Sequence, residues 1–572
     1  MTLDMPHAKY WNIPPTISPE ADSALIKFPP ILRQILFNRG YPTDAEARAY
    51  LNAKPDFNTD PFQMTDMQKA VDRIQLAIQK HEPIAIYGDY DVDGVTSTAL
   101  LVETLAFFNA DVRGYIPNRF EEGYGLNNEA MDKLKAEGVQ LVITVDCGIR
   151  SPNEARYART LDLDLIISDH HHPAEGDLPP AFAVINPKQR GDIYPDKDLA
   201  GVGIAYKIVE ALVSLMPSTF PLDSLLDLVA LGTVADLAPL VGENRFLVRR
   251  GLRQMKQTLR QGLFSLAAVS DIKLAKVNAG NIGFSLGPRL NAAGRLKEAL
   301  AAYDLLITKD ASRAGQLAQE LNIQNRERQS ITRELQAQAE AIALADDPKA
   351  YLLFAAHEDF NSGVIGLAAS RLTDTYYRPA VVAAKGEEET RGSCRSIPEF
   401  HITDALDQCA DLLVRHGGHA AAAGFTVKNE NLAALVTRLK SIAAEKLSKA
   451  NLKPTVTADV EVSLVDVRPE LFEKCLKYLE PTGYGNPNAV FVARNVKVKN
   501  ARTIGADAKH LKLAIEDDAG YIHDAIGFRF GEWQKKMPPR VDILFTYEVN
   551  EYNGRVGYQL NLKDIREAGA EE

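Results

Sequence analysis

The sequence predicts an α/β protein that ends in a β-barrel, and three features of the chain support this. Short runs rich in Ile and Val alternate with helical segments from about residue 76, as in βαβ units around a parallel sheet. A long stretch with helical periodicity separates these units from a second α/β region. The last stretch contains short strand-like runs between turns, which are typical of a small barrel such as an OB-fold.

Five regions follow from these patterns within the 572 residues. We predict a helical, proline-punctuated leader at 1–75, a parallel-sheet domain at 76–245, a helical basic connector at 246–345, a second α/β domain at 346–447 and the barrel at 455–572.

Composition excludes several classes of protein. Hydrophobic residues make up 46% and charged residues 25% of the chain, close to the average for globular proteins, so a disordered or fibrous chain is excluded. No apolar run reaches the roughly 18 residues of a membrane span, and the first residues lack a signal-peptide pattern. The four cysteines show neither metal-finger nor disulfide-framework spacing. We therefore expect a cytoplasmic protein with no membrane partner.

Charge is distributed unevenly along the chain. The net charge of −11 by itself disfavours a polyanion as partner. Between Arg245 and Leu335, however, there are 16 Lys and Arg residues against 7 Asp and Glu residues. This segment could hold a polyanion while an acidic cluster elsewhere holds metal, or it could be a solvated helix surface, and both interpretations stay open.

The segment GDYDVDG carries three acids at alternate positions directly after an apolar strand. In an extended backbone Asp89, Asp91 and Asp93 would face the same side and converge on one point, where a divalent cation would offset their repulsion. A plain loop is the alternative. A calcium loop is excluded because Leu100 occupies the twelfth position, where a bidentate Glu is required.

Two further strand ends carry possible ligands. Asp146 ends the run LVITVD, and Asp169–His172 ends the run LIISDHHH. Ligands of open parallel sheets bind beyond the carboxyl ends of the strands, so these groups should meet the first acidic segment. Asp236 interrupts an apolar helix and needs a partner there. Oxygen ligands with one or two imidazoles favour Mn²⁺ or Mg²⁺ over Zn²⁺, and the number of ligands indicates two ions.

A paired metal site without a Ser–His dyad favours in-line phosphoryl hydrolysis. Aminopeptidase-like acyl hydrolysis is the alternative chemistry for such a site, but the expected oxyanion features are missing from the sequence.

Other motifs suggest phosphate and strand binding. Ser393 and Arg395 in RGSCRS would present a hydroxyl and a guanidinium on one strand face, although an ordinary strand surface has the same pattern. The glycines of Gly417–His419 could allow the backbone to approach a ligand, or could serve packing alone. Arg289 and Arg295 in GPRLNAAGR could line a channel to the metals, or could be exposed residues at a helix start. Candidates in the barrel for stacking on bases, about half of which should be core residues, are Phe491, Phe528, Phe530, Tyr547 and Tyr552.

A family resemblance is carried by seven motifs, which are in chain order GDYDVDGVTST, VDCGI, SDHHHP, TVADLAPL, GPRLNAAGRL, GGHAAAAGF and PTGYGNPNAVF. The first three resemble the DHH phosphoesterase superfamily. GPRLNAAGRL and the last motif are similar to the RecJ family of bacterial single-strand-specific 5′→3′ exonucleases, over nearly the whole chain. Cys394 departs from the small residue, often Gly, expected between Ser393 and Arg395. The resemblance implies a DHH-type phosphoesterase lobe, a DHH-associated second lobe and a C-terminal OB-fold.

The resemblance also implies roles for individual residues. The implied metal ligands are Asp91, Asp93, Asp146, His170 and Asp236, with Asp89 as an additional participant. His171 would lie near the scissile phosphate, and His172 lies beyond the motif. The implied substrate contacts are Arg119, Ser393 and Arg395 at a 5′-phosphate, His419 at nucleic acid, and Arg289 and Arg295 along the path to the metals.

We therefore expect a metal-dependent exonuclease with two Mn²⁺ or Mg²⁺ ions that degrades single-stranded DNA from its 5′ end to mononucleotides, in recombination and repair. Polarity, processivity and the expected partners (a single-strand-binding protein and a recombination helicase) come from the resemblance. A pyrophosphatase or short-oligonucleotide phosphatase is one alternative, although it would not need the barrel or the basic connector. A non-catalytic replisome scaffold of DHH type is another, and the complete set of ligand candidates disfavours it.

Overall fold

The protein, described here from a computed structural model, consists of two compact units. The described residues are 9–118, 122, 125–216, 219–296, 299–505, 507–552 and 555–570. The first unit contains Arg48–Glu327 and Leu479–Asn488, and the second contains the remaining described residues. Among all of these, no helix is both long and apolar enough to cross a membrane.

A parallel five-stranded sheet forms the centre of the first unit. In sheet order its strands are Val112–Tyr115, Ile84–Gly88, Leu141–Val145, Asp164–Ser168 and Ala183–Ile185. Hydrophobic clusters on both faces bury every residue of the two strands that carry the first two acidic motifs. The strand order reverses at Ile84–Gly88. The carboxyl ends of Ile84–Gly88 and Leu141–Val145 therefore form a topological switch point, the usual place for a ligand in an open α/β sheet.

Helices surround this sheet. They include Met67–Lys80, Val92–Phe107, Asn128–Ala136, Pro152–Thr160, Gly201–Leu215, Leu226–Ala235, Gly242–Met255, Gln261–Val269, Gly287–Leu296 and Leu300–Ile307. Residues 246–327, which the sequence predicted as part of a connector, lie within this unit, and many of their apolar side chains join its largest hydrophobic cluster. The helix Ala311–Asp346 spans the boundary between the two units at Glu327 and Arg328.

The second unit contains a mixed five-stranded sheet. Its strands in sheet order are Leu413–His419, Ala422–Lys428, Glu389–Arg395, Ala380–Lys385 and Leu353–His357. The last two run parallel, and the other neighbours are antiparallel. The helices of this region are Ile365–Tyr376, Ile402–Asp407 and Leu432–Leu447. Two hydrophobic clusters form its core.

A closed barrel lies at the C-terminal end of the second unit, which confirms the predicted OB-fold. Its long strands are Val490–Ile504, His510–Glu516, Ile522–Gly527, Arg540–Tyr552 and Arg555–Glu567. The ring closes because the first of these strands pairs with both the second and the fourth. Two buried rings, Phe491 and Phe545, stack with centroids 5.5 Å apart.

The described part of the N-terminal leader contains a strand as well as helices. Tyr10–Asn12 pairs in parallel with Thr455–Thr457. Trp11 is almost fully buried, and its Nε1–H donates to Asp564 Oδ2 at 2.7 Å. The guanidinium of Arg566 lies 4.1 Å from the centre of the indole ring. Trp11 therefore ties the start of the described chain to the last strand of the barrel.

We expect Trp11→Ala to lower the stability of the second unit by about 3–5 kcal/mol, because it removes a large buried side chain and leaves Asp564 without its donor. Urea titration followed by circular dichroism measures the loss. The matched control is Trp533→Ala, since Trp533 is only partly buried and its removal should cost less than about 1 kcal/mol. Equal losses in the two variants would contradict the anchoring role of Trp11.

Candidate metal centre

The acidic segment after the first buried strand is only partly extended. Asp91 is the N-cap of the helix Val92–Phe107, and its Oδ1 accepts hydrogen bonds from two backbone N–H groups of the first turn, at 2.9 and 3.1 Å. Asp93 therefore lies in the first helical turn. The prediction that Asp89, Asp91 and Asp93 converge on one point through an extended backbone is wrong, because the helix begins between the second and third acids.

Asp93 is fully buried and is held by the start of the helix Gly201–Leu215. Its Oδ2 accepts a hydrogen bond from the N–H of Gly201 and its Oδ1 from the N–H of Val202, both at 2.7 Å. A helix N-terminus stabilises a carboxylate in this way. Two glycines permit the approach, because a Cβ on Gly201 would lie 2.9 Å from Asp93 Oδ2 and a Cβ on Gly232 would lie 3.0 Å from its Oδ1.

Asp146 and Asp236 reach the same region from other elements. Asp146 is buried and follows the strand Leu141–Val145 with φ of +62°, a left-handed conformation in which Asp is more common than most residues. Asp236 caps the C-terminal end of the helix Leu226–Ala235. The sequence placed Asp236 within an apolar helix, whereas in the structure the helix ends there.

His170 is surrounded by three of these carboxylates. Its Nε2 lies 3.1 Å from Asp146 Oδ1, 3.8 Å from Asp236 Oδ2 and 4.0 Å from Asp93 Oδ2. Asp146 Oδ1 and His170 Nε2 are both buried, yet neither makes a hydrogen bond within the described residues. Neighbouring ligands of an octahedral ion with bonds of about 2.1 Å lie about 3 Å apart. The pair therefore suits a shared cation better than a hydrogen bond.

The ligand atoms form three overlapping groups, each with all its atoms within 4.8 Å of one another. The groups are Asp93 with His170 and Asp236, Asp89 with Asp91 and Asp146, and Asp146 with His170 and His171. Asp146 belongs to two of them. Such overlap fits two cations that share a carboxylate.

Asp169 orients His171. Its Oδ1 lies 2.8 Å from His171 Nδ1 and accepts the N–H of His171 at 3.0 Å, while its Oδ2 accepts the N–H of Ile149 at 2.9 Å. Burial would raise the pKa of Asp169, but these hydrogen bonds outweigh burial and lower it. Burial likewise opposes protonation of His171, but Asp169 outweighs it and raises the pKa of His171. From the sequence, Asp169 was one of the possible ligands at the end of this strand, and its role in orienting a histidine was not predicted.

Without a cation, the clustered groups cannot all keep their usual charges. Burial, followed by repulsion from Asp91, raises the pKa of Asp93 to about 7. Burial, followed by repulsion from Asp93, raises the pKa of Asp236 to about 9 and that of Asp146 well above its usual value. Burial and the neighbouring imidazole lower the pKa of His170 to about 3, so this ring is neutral and can ligate. This oxygen-rich set with one or two imidazoles fits Mn²⁺ or Mg²⁺.

The helix Gly287–Leu296 lies against the acidic segment. Asn291 Oδ1 accepts a hydrogen bond from the N–H of Val92 at 3.0 Å. From the sequence, Asn291 was noted only as the residue flanked by Arg289 and Arg295 in a possible channel to the metals, with no role of its own. Arg289 and Arg295 belong to the same helix, which places both in the unit that contains the metal ligands.

The second unit contains the predicted phosphate cradle. Ser393 and Arg395 lie on the strand Glu389–Arg395, where Arg395 Nη1 donates to Ser393 Oγ at 3.1 Å. Cys394, between them, points to the buried core. Ala422 pairs with Arg395 on one side and with His419 on the other. The side chains of Arg395 and His419 therefore lie on the same face of the sheet, with one strand between them. Ser393, Arg395 and His419 therefore share a face.

The sequence offered Gly417 and Gly418 as positions where a ligand could approach the backbone, and Arg119 as a phosphate contact. Gly418 has φ of +153°, and a Cβ there would lie 2.4 Å from the carbonyl oxygen of Ala422, so this glycine permits a close strand contact rather than the approach of a ligand. A Cβ on Gly417 would meet nothing within 4 Å among the described residues. Arg119 lies outside the described residues.

Three of the five aromatic candidates in the barrel are core residues. Phe491, Phe530 and Tyr547 are buried and cannot stack on bases, as expected for about half of these candidates. Phe528 is 52% exposed and keeps the predicted role. The side chain of Tyr552 is outside the described part of the structure.

Three family models match the chain. They are the DHH family N-terminal domain over residues 83–233, the DHHA1 domain over 349–445 and the RecJ OB domain over 458–564. Together with the parallel sheet and the acidic site, these matches define a protein with a DHH phosphoesterase domain.

The similarity to known proteins extends over nearly the whole chain. The chain is 40% identical to the single-stranded-DNA-specific exonuclease RecJ of Bacillus subtilis, over 94% of this chain and 68% of that protein. It is 34% identical to RecJ of Salmonella typhimurium, over 94% of this chain and 96% of that protein. The crystal structure of Thermus thermophilus RecJ in complex with Mn²⁺ matches 98% of this chain and 80% of that chain, with a TM-score of 0.84 and 29% identity. The chain belongs to the RecJ family.

We expect Asp146→Asn to raise the melting temperature of the metal-free protein at neutral pH and to remove most of the stabilisation by excess Mn²⁺. A carboxylate whose folded-state pKa is raised destabilises the fold above its usual pKa, so removal of its charge should stabilise the metal-free protein. A ligand at 100 times its Kd stabilises by about 2.7 kcal/mol. Melting curves with Mn²⁺ and with EDTA measure both effects.

The matched control is Asp227→Asn, because Asp227 is equally buried in the same unit but is paired with Arg260 at 3.3 Å. This control should melt at a lower temperature and keep the full response to Mn²⁺. A normal Mn²⁺ response in Asp146→Asn would contradict the assignment of Asp146 as a ligand.

Proposed function

We propose that the protein is a metal-dependent exonuclease that degrades single-stranded DNA from its 5′ end to 5′-mononucleotides. The observation that carries this proposal is the group of Asp and His side chains at the switch point of the parallel sheet. Its relatives in the RecJ family are named single-stranded-DNA-specific exonucleases, which supports the same substrate for this chain.

Two divalent ions, Mn²⁺ or Mg²⁺, would be held by Asp89, Asp91, Asp93, Asp146, His170 and Asp236. When bound, such a pair makes water more acidic and offsets the charge that develops on the phosphate. The overlap of the ligand groups at Asp146 supports this assignment. So do the pKa values of Asp93 and Asp236, which are raised by burial and then by repulsion from a neighbouring carboxylate.

His171 would contact the scissile phosphate. Asp169 engages its Nδ1, so Nε2 is the nitrogen that can donate to a phosphate oxygen. The raised pKa of His171 favours the protonated, donating form. Asn291 would keep the acidic segment in position through its bond to Val92.

The 5′ end would be recognised by residues of the second sheet. Ser393 and Arg395 would bind the 5′-phosphate, with Arg119 and His419 as further contacts. Arginine suits this role because its planar fork matches phosphate oxygens. Arg289 and Arg295 would contact the phosphates of the strand that approaches the ions.

The cellular role is part of the same proposal and rests on the family resemblance. The enzyme would act in the cytoplasm in DNA recombination and repair, with a single-strand-binding protein and a recombination helicase as partners.

Digestion of end-labelled substrates tests the proposed function. Single strands labelled at the 5′ or 3′ end, the matching duplex and RNA are incubated with Mn²⁺, Mg²⁺ or EDTA, and products are separated by size. We expect immediate release of the 5′ label as a mononucleotide, gradual shortening of the 3′-labelled strand, and no reaction in EDTA or with Asp146→Asn. Release of the 3′-terminal nucleotide first, or hydrolysis confined to pyrophosphate or dinucleotides, would overturn the proposal.

We expect Arg395→Ala to slow the digestion of 5′-phosphorylated strands selectively. Loss of a charge-assisted contact of about 1.5–3 kcal/mol corresponds to a decrease of about 10–150-fold in kcat/KM. Strands that begin with a 5′-hydroxyl should be affected much less. The matched control is Arg391→Ala, an exposed arginine on the same strand and face, which should not discriminate between the two ends. If Arg395→Ala slows the digestion of both substrates equally, Arg395 does not bind the 5′-phosphate.

A further inference from the structure

Phe284 is an exposed aromatic residue for which the fold supplies no packing partner among the described residues. Its side chain is 89% exposed, whereas Ile282 and Leu286 on either side of it are fully buried. Full burial of a Phe side chain contributes about 1.5–3 kcal/mol, and this position forgoes that stabilisation. The residue belongs to a π-helical segment, Ile282–Leu286, and such segments are frequent at functional sites.

The π-helical segment packs against the element that ends at Asp236. A Cβ on Gly283 would lie 3.9 Å from Val234 Cγ1, and a Cβ on Gly287 would lie 3.2 Å from Ala235 Cβ. Val234 and Ala235 immediately precede Asp236 in the last turn of its helix. Phe284 is therefore presented from a segment that is fixed to the turn bearing a candidate metal ligand.

The chain continues from this segment into the helix Gly287–Leu296, which contacts the other acidic element through Asn291 and Val92. The π-helical segment and the helix that follows therefore touch both sides of the candidate metal centre. A strand whose end reaches the ions would pass residues of this continuous segment.

A guanidinium group contacts the backbone next to Phe284. Arg289 Nη1 donates to the carbonyl oxygen of Ser285, the neighbour of Phe284, at 2.8 Å, and Arg289 Nε donates to Asn322 Oδ1 at 3.1 Å. Burial lowers the pKa of Arg289, and the nearby charge of Arg326 lowers it further. An exposed ring beside guanidinium groups is the combination that binds single-stranded nucleic acid, through base stacking and phosphate contacts.

We propose that Phe284 stacks on a nucleobase of the single strand under degradation and so positions the strand at the metal centre. This inference rests on the proposed nuclease function and adds a binding residue to it. A protein partner or a second copy of this chain could also cover an exposed ring, but the adjacent guanidinium groups and the link to Asp236 favour a base of the substrate.

Steady-state digestion of a 5′-phosphorylated single strand tests the proposal with three variants. Phe284→Ala and Phe284→Leu should raise KM about 5–150-fold, the range for loss of one stacked base, with little change in kcat. Phe284→Trp should restore KM to nearly the wild-type value, because it keeps an aromatic face. The Kd of the same strand for the protein in EDTA, measured by fluorescence anisotropy, should change in parallel with KM.

The matched control is Leu259→Ala. Leu259 is 88% exposed in the same unit. The next residue, Arg260, contacts Asp227, which lies in the first turn of the helix Leu226–Ala235. Asp236 lies at the other end of that helix. Its removal should leave KM, kcat and Kd unchanged. Melting curves of both alanine variants should match the wild type, since neither side chain is packed.

Single abasic substitutions along the strand identify the base that stacks. An abasic site at one position near the 5′ end should raise the KM of the wild-type protein. The same abasic site should leave the KM of Phe284→Ala unchanged. The proposal is overturned if Phe284→Ala behaves like Leu259→Ala, or if both proteins respond equally to every abasic position. It is also overturned if Phe284→Ala changes only the oligomeric state seen by sedimentation. Failure of the nuclease proposal would instead show as a wild-type protein without activity on any single strand.

Discussion

The first unit is organised by the need to hold several carboxylates close together away from water. Asp93 is fully buried and is compensated by two N–H groups at the start of the helix Gly201–Leu215. Asp146 and Asp236 lie close to it on other elements, and burial, followed by repulsion from Asp93, raises the pKa of each. Their repulsion calls for a cation. Because the candidate ligands come from three strand ends, one helix start and one helix end, the packing of sheet against helices sets the geometry of the site.

The loop after Asp236 is supported by a segment from a distant part of the chain. The N–H of Leu240 donates to the carbonyl oxygen of Tyr484 at 2.7 Å, and Gly485 adopts a φ of +73° close to Pro239. The segment Leu479–Asn488 accordingly belongs to the first unit, although the chain on either side of it belongs to the second. A truncation before this segment would therefore remove support for the loop that follows Asp236.

Much of the candidate site followed from local sequence, and the errors have identifiable causes. The positions of Asp146 and His170 after buried strands were predictable, because apolar runs end where the polar residues begin. The geometry of Asp89, Asp91 and Asp93 was not, since the N-cap function of Asp91 starts a helix one residue later. The pairing of Asp169 with His171 was missed because all polar groups at a strand end look alike as potential ligands. Which of the barrel aromatics are buried stayed open, because a strand pattern does not tell which ring faces the barrel interior.

The sequence by itself determined the order of the domains, the buried parallel strands and the set of acids and imidazoles that follow them. These features depend on residues close together in the chain, namely alternating apolar runs and the polar groups that end them. Only the tertiary structure decided which carboxylates lie close enough to share a cation, which acid orients a histidine, and that Phe284 is exposed whereas Phe491 is buried. Both rings lie within apolar runs, IGFSL and AVFVA. They differ in what packs against them, and that is decided by elements far away in the sequence.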